Sequence, residues 1–201
     1  MEQREYDLLL ERANTHVITR PEFEAAAMEL ASPNRKGKAS TLMAILRKDR
    51  TRTYEAVMIP FLEGPDYRDA LNALTYICLE YGQTARYTEY LLRFIEGVPY
   101  DWNDSIKSYA IGIVGIYLNE TCDSELLREL IIVAERGTNK RIRVEAHKAL
   151  FEALGHNGLP YGKRDPNAER ARDYEALGLE IVEEAKQRLV NEEADPHRSD
   201  L

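Results

Sequence analysis

Seven basic residues crowd the stretch RKGKASTLMAILRKDRTR at 35–52: Arg35, Lys36, Lys38, Arg47, Lys48, Arg50 and Arg52, against the single acid Asp49. Cations clustered in this way gain affinity for phosphates by releasing condensed counterions. An anion-binding site, for a polyanion or an acidic partner, is therefore expected there. The apolar run inside the stretch predicts a helix of about a dozen residues, which puts the charges near its two ends. Basic side chains at a helix C-terminus are also favourable with no ligand at all. Trp102, the only tryptophan, lies in VPYDWND between Asp101 and Asp104. An aromatic flanked by acids can touch a ligand, or fold back as a lid over helix ends.

Other chemistry is excluded by spacing. His16, His147, His156 and His197 include no i, i+4 pair, and no HExxH, GxSxG or glycine-rich phosphate loop occurs. Cys78 and Cys122 stand far apart with no CxxC and read as free thiols. No metal, cofactor or catalytic residue is assigned, and binding rather than catalysis is expected.

Removing the basic stretch from the chain's 27 basic and 35 acidic residues leaves 20 against 34, so an acidic body carries one basic patch. With a net charge of −8, the surface as a whole is unsuited to nucleic acid. A hydrophobic fraction of 44% beside 31% charge is that of a globular domain, with no apolar run long enough to span a membrane. The charged opening MEQREYDLLLERAN is no secretory signal, and a cytoplasmic location is expected.

Three apolar runs end alike, in PFLEG at 60–64, RFIEG at 93–97 and VAERG at 133–137. Glycine reaches the left-handed conformation that closes many helices, so three similar helix ends are expected. Between them, IRVEAHKALFEALG at 142–155 repeats its small and apolar positions in IKSYAIGIVGIYL, 36 residues earlier, and in DALNALTYICLEYG at 69–82. Each is followed by a second apolar-periodic helix, marked by Tyr87, Leu91, Phe94 and Ile95 in one case and by Leu127, Leu130, Ile131 and Ala134 in another. A fainter pair runs through Leu42, Met43 and Leu46, then Val57, Met58, Phe61 and Leu62. Gly112 and Gly115 weaken their helix by about 1 kcal/mol each relative to Ala, which close helix packing would offset.

Helix pairs recurring every 35–40 residues are the mark of an α-solenoid. IRVEAHKALFEALG resembles the first helix of a HEAT repeat, and the resemblance covers about half of the chain. It implies an all-α fold, a short superhelix of stacked antiparallel pairs over 36–64, 66–97, 104–137 and 140–155, within one domain spanning 1–193. Thr19-Arg20-Pro21-Glu22 reads as a capping box opening a further helix to about Leu30. Asp165-Pro166 opens a long final helix to about Asn191, after which the acidic tail 194–201 is expected to be disordered.

In such a solenoid the second helices line the concave, partner-binding face. Arg86, Glu89, Tyr90 and Arg93 on one, with Arg128, Glu129 and Ile132 on the next, are the expected contacts. Their mixed charge suits another protein: an adaptor, a scaffold or an inhibitor of the immunity type. The alternative is a nucleic-acid-binding or repair protein, since HEAT-like alkylpurine DNA glycosylases are similar in architecture. No catalytic Asp of that family maps onto this chain.

Overall fold

The computed structural model describes residues 3–15, 17–49, 51–137, 139–156 and 170–194. Among these residues the chain is all-α, with ten helices and no strand. They fall into two compact units, 1–87 and 88–201.

In the first unit are α1 (Gln3–Asn14), α2 (Arg20–Ala31), α3 (Ala39–Leu46), α4 (Glu55–Leu62) and α5 (Tyr67–Thr75). The α3 sequence ASTLMAIL is apolar almost all round, as a helix enclosed by its neighbours must be. Leu42, Met43, Ile45 and Leu46 are wholly buried, and α1, α2 and α5 pack around them. This helix has eight residues rather than the dozen expected. The chain leaves it through Arg47–Asp49 and reaches a left-handed Arg52, φ 59°, before α4 can start. Ahead of α2, Glu22 accepts from the Thr19 backbone N–H at 2.8 Å, as the capping pattern predicts, while the Thr19 hydroxyl donates to the same carboxylate at 2.8 Å.

In the second unit are α6 (Thr88–Glu96), α7 (Ser105–Glu120), α8 (Ser124–Arg136), α9 (Lys140–Ala153) and α10 (Arg170–Ala194). Here α7 stacks on α9, while α8 lies between α6 and α10. Small residues set the closeness of the α7–α9 approach. A Cβ built on Gly115 would lie 2.7 Å from both Cα and the carbonyl oxygen of Ala149. Gly112 differs, since no described residue stands within 4 Å of its Cβ position. Close packing thus explains one of the two glycines and leaves the other unexplained.

Helix ends only partly follow the expected pattern. Of the three Glu-Gly-type endings only Gly97 has positive φ, 117°, whereas Gly137 sits at −55°. The left-handed glycines otherwise close first helices, Gly82 at 63° and Gly155 at 73°. At Gly155 the two Schellman bonds form, His156 N–H to Phe151 O at 3.2 Å and Gly155 N–H to Glu152 O at 2.9 Å. The rings of Phe151 and His156 meet across that turn, 4.7 Å between centroids. Before Gly82 the helix widens into a π-helical turn, Tyr76–Glu80.

The α10 helix is fastened to the unit by its charges. Arg188 donates to Leu118 O (3.0 Å), Thr121 O (2.7 Å) and Ala153 O (2.5 Å), closing the C-terminal ends of α7 and α9 together. Its Nε meets Glu192 at 2.6 Å. Gly178 leaves room for the His147 ring, which a Cβ there would approach within 2.6 Å. Burial lowers the pKa of His147, Arg143 adds to the effect, and a hydrogen bond to the Ala134 carbonyl opposes it. With its folded pKa below the unfolded value of about 6.5, the unfolded state binds the proton more readily. Stability should therefore fall as pH drops from about 6.5 towards 5. His147→Gln should flatten that part of a urea-denaturation profile.

The expected start of the last helix at Asp165-Pro166, the tail 195–201, Arg50, His16 and His197 lie outside the described residues.

Candidate functional site

The first unit holds an open apolar groove of about 550 Å³ between the C-terminal end of α2, the outer side of α4 and the turn into α5. Val57 and Phe61 recur at the helical spacing of Met58 and Leu62 but lie about 100° round the helix from them. Met58 and Leu62 are wholly buried, while Val57 and Phe61 are part-exposed and form the groove wall with Leu30 and Pro60. Sequence periodicity reads all four as core, because a broad apolar stripe does not say which of its edges is covered.

Arg35 stands at one end of this groove, its guanidinium 5.1 Å from the Phe61 ring centroid and 3.5 Å from a carboxylate oxygen of Asp69. Burial raises the Asp69 pKa, Asp66 raises it further, and Arg35 opposes both. A more polar pocket of about 540 Å³ shares Arg35 and Asp69 and extends to Lys38, Arg68 and Asn72. An apolar trough with charged groups converging at one end is the usual form of a recognition site.

The anion-binding candidates do not form one cluster. Arg35, Lys36 and Lys38 precede α3, while Arg47, Lys48 and Arg52 follow it, about 12 Å of helix away. Two of the arginines are already paired. Arg47 reaches Glu80 at 2.9 Å and stacks over Tyr76 at 5.2 Å, just as Arg35 is held by Asp69. The backbone N–H of Lys36 is bound by Glu29 and that of Lys38 by Gln3.

Arg86 requires a correction. The sequence places it on the same helix as Glu89 and Arg93, but it belongs to a 3₁₀ turn, Thr84–Arg86, in the first unit. The cause is Glu55, a carboxylate only 8% exposed. It accepts from the Tyr87 hydroxyl at 2.6 Å and from Arg86 at 3.2 Å, drawing the chain inwards ahead of α6. Nothing in the spacing of 35 acidic residues singles out Glu55.

The remaining concave-face candidates lie on neighbouring helices of the second unit. Glu89, Tyr90 and Arg93 are on α6, with the Arg93 guanidinium over Tyr90 at 5.1 Å and Phe94 at 5.4 Å. Arg128, Glu129 and Ile132 are on α8, where Arg128 pairs with Glu193 of α10 at 2.5 Å and Ile132 is 37% exposed. Trp102 is 77% exposed and does not fold back as a lid. Its neighbour Asp101 is buried and accepts from the Lys107 N–H at 2.9 Å, and Asp104 accepts from Asn139 at 2.8 Å. Both acids beside the tryptophan thus serve the starts of helices α7 and α9.

Among the described residues no three His, Cys, Asp or Glu side chains converge as metal ligands, and no helix is long and apolar enough to cross a membrane. No protein-family model, curated protein sequence or solved structure matches the chain.

Proposed function

We propose that this chain is a protein-binding module, an adaptor or inhibitor built on HEAT-like helix pairs. The observation that carries this reading is the α2–α4 groove, which leaves Val57 and Phe61 part-exposed above a complete core. A groove between two helices, apolar along its length and charged at one end, fits an apolar segment of a partner flanked by a polar or charged residue. Tyr90, Arg93 and Ile132 on α6 and α8 are of the residue types that anchor interfaces, and they offer a further contact face.

Immobilised chain should recover a partner in stoichiometric amount, and Val57→Glu should reduce that recovery at least tenfold. The variant should keep its helical circular dichroism, since the side chain is not part of the closed core. Recovery of nothing stoichiometric under several salt conditions, or recovery unchanged by Val57→Glu, would sink the proposal.

The nucleic-acid alternative has weaker support, because Arg35 and Arg47 are engaged by Asp69 and Glu80. Fluorescence anisotropy with labelled duplex and single-stranded oligonucleotides should give no saturable binding at physiological salt. Tight, steeply salt-dependent binding would reverse this ranking.

A further inference from the structure

The outward face of α7 departs from the rule its own repeat obeys. The 36-residue register that aligns Ile106, Ala110 and Val114 of α7 with Ile142, Ala146 and Leu150 of α9 also aligns their outer positions. On α9 those positions are Arg141, Glu145, Lys148 and Glu152, with Lys148 and Glu145 paired at 3.0 Å. On α7 they are Ser105, Tyr109, Gly112 and Ile116. The same place in the same kind of helix is fully charged in one repeat and uncharged in the next. Tyr109 is 51% and Ile116 50% exposed, and Trp102, still more exposed, lies just before the helix begins.

Gly112 makes the face more specific than an apolar stripe. A glycine within a helix needs a reason, and for Gly115 that reason is Ala149. Among the described residues no neighbour supplies one for Gly112, whose Cβ position meets none of them. It forms a notch with Tyr109 about 4.5 Å before it along the axis and Ile116 about 6 Å after it. Knob, notch and knob in that nearly symmetrical order are self-complementary. If two α7 helices cross antiparallel at Gly112, the Tyr109 side chain of each copy meets the Ile116 of the other. The glycines let the two backbones approach, and the helix dipoles oppose favourably.

Charge confines any contact with a second copy to this stripe. Two chains of net charge −8 repel over most of their surfaces. The 105–116 stripe brings no carboxylate against another. We infer that α7 is the contact face of a two-fold homodimer with Gly112 at its crossing point. The exposed parts of Trp102 and Tyr109 amount to about 300 Å². That is well below the roughly 800 Å² per partner of a standard interface, so association is weak and transient.

Sedimentation velocity on the full chain, from 1 to 500 µM, tests this. The wild type should pass from monomer towards dimer across that range. Ile116→Glu should remain monomeric throughout while melting within a few degrees of wild type. Gly112→Cys in a Cys122→Ser background, oxidised at high concentration, should form a covalent dimer. A wild type that stays monomeric at 500 µM overturns the inference. So does a dimer that Ile116→Glu leaves intact, or one whose Gly112→Cys form fails to cross-link.

Discussion

Arg188→Met should lower the unfolding free energy by about 2–3 kcal/mol, less than the ~3–5 kcal/mol of a fully buried pair because the Arg188 side chain is 22% exposed. One guanidinium serves three carbonyls at the ends of two different helices and a carboxylate one turn away on its own. Helix C-termini leave their last carbonyls without intrahelical donors, and here a single side chain supplies donors to both α7 and α9. Its loss also leaves Glu192, whose side chain is 13% exposed, against two negative helix ends. Arg188→Lys should recover little, because an ammonium cannot reproduce the planar fork that spans separate acceptors. Arg188→Met combined with Glu192→Met should be more stable than Arg188→Met alone, since the stranded carboxylate is then gone. Urea denaturation followed by circular dichroism reads all three variants. Equal stability of Arg188→Met and wild type would show that water replaces the clamp at no cost.

The second large effect is a change of sign between two glycines three residues apart. Gly115→Ala should cost about 2 kcal/mol and Gly115→Val about 4 kcal/mol or more. The added atoms meet Ala149 backbone rather than a side chain that can turn aside. Gly112→Ala, by contrast, should stabilise the isolated chain by up to about 1 kcal/mol through helix propensity alone. Measured at low micromolar concentration, the two variants separate close packing from propensity within one helix. If both substitutions stabilise, the α7–α9 spacing adjusts and Gly115 is not what sets it.

Helix identity was largely legible in the sequence because it rests on local patterns. Alanines and branched apolar residues at steps of three and four define buried faces, and the Thr19–Glu22 pattern marks a start on its own. Legibility ended where a role depends on residues far along the chain. Arg188 is one of 27 basic residues, and its importance comes from carbonyls at 118, 121 and 153. Glu55 gains its role from Tyr87 and Arg86, more than thirty positions away. The groove was hidden for a related reason: Val57 and Phe61 obey the same periodicity as Met58 and Leu62. Only the placement of α2 decides which pair is covered. The glycine endings divided similarly, since a glycine permits a left-handed turn without requiring one.

The two cysteines give the molecule a built-in clock. Cys78 is buried in the π-helical turn, its thiol pKa pushed up to about 12 by burial against the opposing hydrogen bond to Thr84, while Cys122 is exposed. At pH 8 an alkylating reagent meets Cys122 directly but reaches Cys78 only when the first unit opens, because the thiolate is the reacting form. The labelling rate at Cys78, timed against Cys122 in the same sample, therefore reports how often the first unit opens. A ligand seated between α2 and α4 would slow that rate, so a partner could be detected by mass spectrometry before its identity is known.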